Sequence, residues 1–248
     1  MTISGNTVTS QVSGNIASQT VNATGTGSSQ IAGGISVANT QANGMFAYSG
    51  MTSSTEISII SQTGPYPQTI ANSPVTITSN TVGSQASGNQ STQSMAFAST
   101  VNAGGAGLAT NASVITPAGS VSAYADYVLA NSQMNTSGGI MAATTNTTIG
   151  YSGTAVQSPV NVNNNYVYAA AYGNNASMSM TAPLSTGSMQ SSNFQANNGV
   201  SISAAVTNTM VMANFAGGTT SNGAVNVNGN IVRAQAVGNV VGSTIKAN

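Results

Sequence analysis

The stretch NTVGSQASGN, residues 80–89, recurs with substitutions as NTVTSQVSGN at 6–15, NYVYAAAYGN at 165–174 and NIVRAQAVGN at 230–239. All four repeats follow the pattern N-x-V-x-[SA]-x-[AV]-x-G-N, in which the two asparagines lie nine positions apart. Alternation of small or apolar residues with polar ones at a period of two is typical of β-strands with one buried face. A pattern kept in four places predicts the architecture of the whole chain.

A second pattern, Asn-x-Gln, lies between the repeats. It begins at Asn39, Asn131 and Asn193, and a glycine and an apolar stretch containing alanine follow within a few residues. The two patterns alternate along the chain, and no linker or shift in composition divides it. The sequence therefore predicts one elongated repeat domain over residues 1–248, with Gly-Asn blocks at 6–15, 80–89, 165–174 and 230–239.

Glycine and asparagine tolerate positive φ, which predicts corners where each repeat opens and closes. The predicted corner residues are Asn6, Gly14, Asn15, Asn80, Gly88, Asn89, Asn165, Gly173, Asn174, Asn230, Gly238 and Asn239. With roughly 20–25 residues per coil and about 4.8 Å between coils, the chain would form on the order of ten coils in a rod of roughly 50 Å. We therefore predict an all-β fold, a β-solenoid of stacked coils with Gly-Asn corners, with repeated β-sandwich modules as the alternative. Only residues 120–131 could hold a helical turn or two.

The alternation also predicts which side chains face the core. The residues expected to face inward are Val8, Ser10, Val12, Val82, Ser84, Ala86, Val167, Ala169, Ala171, Val232, Ala234 and Ala236. On the opposite face of the third repeat, Tyr166, Tyr168 and Tyr172 form an outward aromatic strip. Cross-strand packing and contact with a sugar or a surface are the two readings of this strip.

Charged side chains are almost absent, which excludes most enzyme chemistry. The chain has 2 Lys+Arg, 2 Asp+Glu, no His, no Cys and a net charge of zero. No Ser-His or Cys-His pair, thiolate metal site or redox couple can be assembled from these residues. The carboxylates Glu56 and Asp126 are far apart in the sequence, and no Trp is available to line a sugar cleft. We expect a protein that is not an enzyme and that binds no metal or cofactor.

The same composition limits the partners. Arg233 and Lys246 are the whole supply of cationic side chains, whereas nucleic-acid binding requires several to release counterions. No apolar run approaches the 18 residues of a membrane-spanning helix. Met1–Ser4 lacks the charged and apolar regions of a signal peptide, so we expect any export signal to have been removed or to lie elsewhere. We expect neither nucleic-acid binding nor membrane insertion.

The Gly-Asn blocks, interleaved with Asn-x-Gln, Gly and apolar-x-Ala and nearly devoid of charge, resemble the holdfast-anchor type of surface protein of stalked alphaproteobacteria. The chain also resembles curlin, the subunit of curli fibres, in its Asn and Gln at strand corners, although the regular curlin repeat unit is missing. These resemblances imply an extracellular or cell-surface protein that forms a fibre or matrix for biofilm or surface attachment. They imply a polysaccharide or another envelope protein as a partner, and no catalytic residues.

The ends of the repeat array predict self-assembly. An uncovered terminal coil exposes strand edges and core, and solenoids normally carry polar caps there. Neither end of the given sequence shows such a cap, which predicts either assembly with further copies or a longer repeat protein whose caps lie outside this sequence. In an assembly, a following molecule's Asn6 would lie 24 positions after Asn230, about one predicted coil on. The residues expected at the assembly ends are Ile3, Val8, Ile231, Val237 and Ile245. We therefore expect a structural subunit that polymerises head to tail, and the alternative is a monomeric rod-like adhesin or a phage tail-spike-type binding shaft.

Overall fold

The computed structural model describes residues 1–23, 29–31, 34–60, 69–97, 101–103, 110–116, 119–182, 187–215 and 223–247. Within these ranges every regular element is a β-strand, so they contain no helix that could cross a bilayer. The strands of the described residues are β1 (Thr2–Ser4), β2 (Thr7–Ala23), β3 (Ser29–Ile31), β4 (Ile35–Ser53), β5 (Glu56–Ile60), β6 (Thr69–Ala71), β7 (Val75–Thr78), β8 (Thr81–Phe97), β9 (Val101–Ala103), β10 (Thr110–Thr116), β11 (Gly119–Ala125), β12 (Tyr127–Thr145), β13 (Thr148–Ser152), β14 (Thr154–Val156), β15 (Val160–Asn163), β16 (Tyr166–Ala182), β17 (Met189–Thr207), β18 (Met210–Asn214), β19 (Val225–Asn228) and β20 (Ile231–Ala247).

Two sheets of long parallel strands dominate the molecule. The N-x-V repeats form strands of 17 residues in the order β2-β8-β16-β20, which we call the first sheet. The Asn-x-Gln segments form strands of 19 residues in the order β4-β12-β17, the second sheet. Equivalent residues pair in register, so that Asn15 lies beside Asn89, and Asn89 beside Asn174. The fold is thus all-β with stacked parallel strands, an arrangement consistent with a β-solenoid.

Short strands complete each turn of the chain. The strands β1-β7-β15-β19 precede the first-sheet strands, and β5-β13-β18 follow the second-sheet strands. The backbone turns into the first sheet at a residue with positive φ just before the opening asparagine: Gly5, Ser79, Asn164 and Gly229. The opening residues Asn6, Asn80, Asn165 and Asn230 therefore lie between two strands, as the sequence predicts.

The predicted coil of roughly 20–25 residues is wrong. Equivalent asparagines of successive first-sheet strands are separated by 74, 85 and 65 residues, and those of the second sheet by 92 and 62. The physical reason is that the Asn-x-Gln segments form the opposite side of the same coil and are not coils of their own. The stack is therefore four strands high at most, and the predictions of ten coils, a 50 Å rod and a 24-residue step across a junction fail with it.

The predicted Gly-Asn corners are also misplaced. Gly14-Asn15, Gly88-Asn89, Gly173-Asn174 and Gly238-Asn239 lie inside the long first-sheet strands. The strand continues through each glycine, but the buried positions change there from every second residue before it to the other set of alternate residues after it. A turn would produce the same change in the sequence, which is why the pattern suggests a corner. Residues 119–125 and 127–145 are strands as well, so the helical turn considered for residues 120–131 does not form.

The core between the two sheets has three parts, and a fourth buried cluster, Ala125, Val128 and Ala130, lies apart from them. At one end, short-strand residues such as Ile77 and Ile149 pack with Val82 and Val167. At the other end, Met95 and Met180 are among the residues that pack with Tyr127 and Leu129. The middle part is built from small residues, Ala86, Ala169 and Ala171 of the first sheet against Ile140 and Ala142 of the second. Small side chains allow the sheets to approach closely, which explains the alanine-rich alternation.

The inward-facing prediction holds in the middle of the stack and fails at its ends. Val82, Ser84, Ala86, Val167, Ala169 and Ala171 are buried. Ser10 and Val12 are half-buried, whereas Val8, Val232, Ala234 and Ala236 are exposed. The residues in question occupy equivalent pairing positions. They differ because β2 and β20 have a neighbouring strand on one side only.

Candidate functional site

A continuous row of asparagine amides joins the two sheets through the middle of the core. We call it the amide seam; it consists of Asn15, Asn89, Asn174 and Asn239 of the first sheet and Asn43, Asn135 and Asn197 of the second. In the middle of the stack, Asn89, Asn135 and Asn174 are completely buried. Buried amides require hydrogen-bond partners, and here they are one another's partners.

The seam climbs the stack by alternating between the sheets. Each side-chain amide Nδ2 donates to the Oδ1 of the next asparagine across the core: Asn15 to Asn43 (2.8 Å), Asn43 to Asn89 (2.9 Å), Asn89 to Asn135 (3.0 Å), Asn135 to Asn174 (2.9 Å), Asn174 to Asn197 (3.2 Å) and Asn197 to Asn239 (2.8 Å). Since the order is first sheet, second sheet, first sheet, the strands of one sheet lie half a step above those of the other.

The same nitrogens also donate within each sheet. Asn15, Asn89 and Asn174 donate to the next first-sheet asparagine at 3.0, 2.8 and 2.8 Å, and Asn43 and Asn135 to the next second-sheet asparagine at 2.9 and 2.7 Å. Each of these nitrogens further approaches a backbone carbonyl just before an asparagine of the opposite sheet, for example Asn135 to Gly173 at 2.8 Å. Every one of these side-chain bonds points from the N-terminal toward the C-terminal end of the stack.

The glycine before the first three first-sheet seam residues is required by close packing, because a Cβ on Gly14, Gly88 or Gly173 would clash with the next strand. A Cβ on Gly88 would lie 2.7 Å from the Asn135 Nδ2 atom, which is closer than real Cβ contacts allow. At the last strand the space opens, and a Cβ on Gly238 would lie 3.7 Å from the Asn197 Nδ2 atom. The Gly-Asn pairs are thus explained by close packing at the seam, in place of the corner role predicted from the sequence.

Three further amide columns run along the stack. The corner column Asn6, Asn80, Asn165 and Asn230 has Nδ2–Oδ1 distances of 3.0, 2.9 and 2.9 Å and points toward the C-terminal end, like the seam. The column Asn39, Asn131 and Asn193 has the same direction. The glutamine column Gln41, Gln133 and Gln195 points the other way, with both distances 2.8 Å.

The stack ends in two open edges. We call the free sides of β1 and β2 the N-terminal edge and those of β19 and β20 the C-terminal edge. Val232 is 54% exposed and Ile245 45%, whereas their pairing equivalents Val167 and Met180 are fully buried. Val225 and Val227 of β19 are exposed in the same way. Each edge therefore presents core side chains and unpaired strand backbone, the feature that normally templates further pairing.

The five predicted assembly-end residues all lie on these edges. Ile3 is half-buried against the core cluster, and Val8 is 41% exposed. On the C-terminal edge, Ile231 and Ile245 are exposed, and Val237 is half-buried. Beside the N-terminal edge lies an open hollow of about 660 Å³, lined by residues that include Ile3, Val8 and the buried Ile57. This hollow is the mouth of the core between β1 and β5.

The outward aromatic strip is present on the first sheet. The rings of Tyr166 and Tyr168 stack with centroids 5.1 Å apart, and Tyr168 covers Gly83 of the neighbouring strand. Burial, chiefly, and the neighbouring tyrosines raise the pKa of Tyr168 above its ordinary value. A hollow of about 140 Å³ beside it is lined by Tyr172, Arg233 and two glutamines among others. The strip thus combines cross-strand packing with a small polar recess.

The four charged side chains form no common site in the described part of the chain. Asp126 accepts hydrogen bonds of 2.8 Å from the backbone N–H and from the hydroxyl of Ser188, and these bonds hold the pKa of Asp126 below its ordinary value. Glu56 accepts a hydrogen bond of 2.6 Å from the hydroxyl of Ser58. Among the described residues, no group of three or more His, Cys, Asp or Glu could hold a metal ion.

Asn43, Asn135 and Asn197 are the residues of the candidate site that the sequence analysis does not single out. Each lies two positions beyond the glutamine of an Asn-x-Gln pattern, so the full pattern is Asn-x-Gln-x-Asn in all three segments. Following the period-two alternation one step further would have found them. The chain matches no protein-family model, no curated protein and no solved structure.

Proposed function

We propose that the chain is a structural subunit of an extracellular or cell-surface fibre or matrix, in which β-solenoid subunits assemble head to tail by stacking their coils. The observation that carries this proposal is the contrast in burial between the middle and the ends of the stack. Val82 and Val167 are fully buried, whereas Val8 and Val232, in the same column, are exposed. A second subunit stacked on either edge would bury these side chains and pair the free backbone.

Repetition of this contact gives a filament. The two edges are different surfaces of one molecule, so a contact between them is heterologous and leaves a free edge at each end of the product. Within the chain, all three pairs of neighbouring first-sheet strands are paired in register, with equivalent residues side by side. A junction between subunits would reuse this geometry, with β2 of one subunit beside β20 of another.

Composition supports a structural role over a catalytic one. The chain has no His or Cys, and Glu56 and Asp126 make their hydrogen bonds with different serines. We therefore infer that the protein is not an enzyme and acts through its assembled shape. The resemblance to holdfast-anchor and curlin proteins supports a role in biofilm formation or surface attachment, with a polysaccharide or another envelope protein as partner.

The second candidate is a monomeric rod-like adhesin or tail-spike-type shaft. The tyrosine strip favours it, because Tyr166 and Tyr168 present stacked rings beside Arg233 on an outer face. Aromatic faces of this kind can bind other molecules without any assembly. The two candidates differ in their prediction for the purified protein, since an adhesin of this type remains a monomer at high concentration.

Electron microscopy and sedimentation of the purified chain test the proposal. We expect filaments for the native sequence and monomers for Val232→Lys, which places an inward-facing charge on the C-terminal edge. The matched control is Thr244→Lys, which adds the same charge to an outward-facing position of the same strand, β20. The control should still assemble. A native protein that stays monomeric, or equal assembly of both variants, would contradict edge stacking.

A further inference from the structure

We propose that the filament is polar and that its direction is set by the asparagine columns of the first sheet. In this arrangement, the C-terminal edge of one subunit donates amide hydrogens and the N-terminal edge of the next accepts them. The inference rests on the proposed assembly and adds to it the atoms that choose between head-to-tail and head-to-head contacts.

The seam and the corner column end in donors at the C-terminal edge, whereas Asn226 of the same edge donates back to Asn161 Oδ1 at 2.8 Å. Asn239 accepts hydrogen bonds from Asn174 and Asn197 at 2.8 Å each, but among the described residues its own Nδ2 donates only to the carbonyl of Gln195, at 3.4 Å. The interior residue Asn174, by contrast, donates at 2.8 Å to the next asparagine of its sheet. The Asn239 side chain is exposed, so its amide nitrogen is available to a further strand.

The asparagine columns end in amide acceptors at the N-terminal edge, whereas the first-sheet pair Gln93 and Gln19 points the other way, with Gln93 donating to Gln19 at 2.9 Å. Asn15 donates to Asn43, Asn89 and the carbonyl of Ala42, and its Oδ1 accepts no hydrogen bond from the described residues. The interior asparagines Asn89 and Asn174 both accept at Oδ1 from the preceding strand. The Oδ1 atom of Asn15 is therefore positioned to accept a hydrogen bond from a further strand on the N-terminal edge.

The corner column repeats this polarity at a second point on the same two edges. The backbone N–H and the Nδ2 of Asn165 both donate to Asn230 Oδ1, at 2.9 Å each, and Asn6 makes the equivalent pair of bonds to Asn80. By the same geometry, Asn6 faces the N-terminal edge with its Oδ1. Asn230 faces the C-terminal edge with its backbone N–H, while its Nδ2 donates to the carbonyl of Val162 at 2.7 Å. Two independent columns give donors at one edge and acceptors at the other.

Only a head-to-tail contact satisfies both columns. Stacking β2 of an incoming subunit on β20 would bring Asn15 beside Asn239 and Asn6 beside Asn230, with a donor facing an acceptor in each pair. Two C-terminal edges would oppose amide donors to each other, and two N-terminal edges would oppose carbonyl oxygens. Unpaired polar groups buried in such a contact are costly, so the mismatched arrangements are disfavoured.

The oppositely directed glutamine column does not change this result. The first sheet has four strands and the second has three, so stacking β2 on β20 leaves β4 of the incoming subunit one strand position away from β17. The glutamines of the second sheet therefore do not meet across the junction. The arrangement also leaves a gap one strand wide in the second sheet at every junction between subunits, beside the hollow at the N-terminal edge.

Asn239→Asp tests the direction because it removes the donor and leaves the rest of the seam in place. The aspartate oxygen still accepts from Asn174 and Asn197, so the folded subunit is retained, whereas the carboxylate faces the Asn15 oxygen of an incoming subunit. The matched control is Asn208→Asp, which makes the same chemical change at an exposed turn outside the edge columns.

The assay follows growth at both ends of labelled native seeds by fluorescence or atomic force microscopy. A variant subunit can still add through its intact N-terminal edge, and it then presents a defective C-terminal edge. We expect a small fraction of Asn239→Asp in native monomer to slow growth at one seed end only, on the order of 10- to 100-fold for the loss of one to two hydrogen bonds. The control should leave both ends growing at the native rate.

The outcomes separate this inference from the proposed function. Filaments that grow equally at both ends in the presence of Asn239→Asp would overturn the polar arrangement and leave filament formation standing. Equal slowing at both ends would overturn it as well, because it would mean that the C-terminal edge contributes to both contacts. Absence of filaments from the native chain would overturn the inference together with the proposed function.

Discussion

Replacing Asn135 with alanine is the sharpest test of the amide seam. Asn135 is completely buried; it donates to Gly173, Asn174 and Asn197 at 2.7–2.9 Å and accepts from two asparagines. Its two amide hydrogens are shared among three acceptors, so about four hydrogen bonds are lost in effect. At about 1 kcal/mol net for each, Asn135→Ala should lower the free energy of unfolding by about 4 kcal/mol. For a chain of this length, that corresponds to a fall in Tm of roughly 8–16 °C.

The measurement is urea unfolding of freshly prepared monomer, followed by circular dichroism. The matched control is Asn239→Ala, in the same seam but exposed at the end of the stack, where water replaces the lost partners. We expect a cost of about 1 kcal/mol or less there. Equal costs at the two positions, or a cost below about 1 kcal/mol for Asn135→Ala, would refute the reasoning that mutual burial makes the seam stabilising.

Three further predictions follow from the core and the charges. Ala169→Phe should destabilise the fold by about 1–3 kcal/mol or more through overpacking, whereas Ala234→Phe, in the same column on the exposed last strand, should cost far less; equal melting temperatures would contradict this. A chelator, and the double change Glu56→Gln with Asp126→Asn, should leave filament formation at pH 7 unchanged; loss of filaments would indicate a cation site. Hydrogen bonds from Ser188 lower the pKa of Asp126 in the folded state. The small stabilisation that these bonds provide is present above the unfolded pKa of about 3.9 and is lost as the pH falls through the lower folded pKa. Asp126→Asn should therefore remove this dependence of the free energy of unfolding on acidic pH.

Alternation in the sequence was sufficient to predict strands and their inward faces. Val82, Ala86, Val167 and Ala171 are buried because a period of two places every second side chain on one face, and that rule needs no knowledge of the partner strand. The opening asparagines Asn6, Asn80, Asn165 and Asn230 were predictable as breaks between strands for a similar local reason. A residue capable of positive φ precedes each of them, and the alternation restarts there.

The length of the coil could not be read from the same pattern. Alternation is identical in a strand that stacks on the next repeat and in one that crosses the core to a different sheet. A short coil is therefore as compatible with the alternation as the observed long one, in which equivalent asparagines of the Asn-x-Gln segments lie 92 and 62 residues apart. The same ambiguity concealed the seam, because Asn43, Asn135 and Asn197 look like ordinary polar residues until the opposite sheet brings Asn89 and Asn174 beside them.

Burial in this molecule depends on the position of a strand in the stack as well as on its sequence. Val167 and Val232 occupy the same column and the same position of the N-x-V repeat, yet Val167 is fully buried and Val232 is 54% exposed. The difference comes from the missing strand beyond β20, so the sequence of the last repeat specifies a buried environment that the isolated chain does not provide. The amides behave in the same way, since Asn15 offers an acceptor that no described residue uses and Asn239 donates only at 3.4 Å within the described part of the chain. Core side chains and hydrogen-bonding groups are thus incomplete on the same two edges, and under the proposed head-to-tail stacking a neighbouring subunit at each edge would complete them.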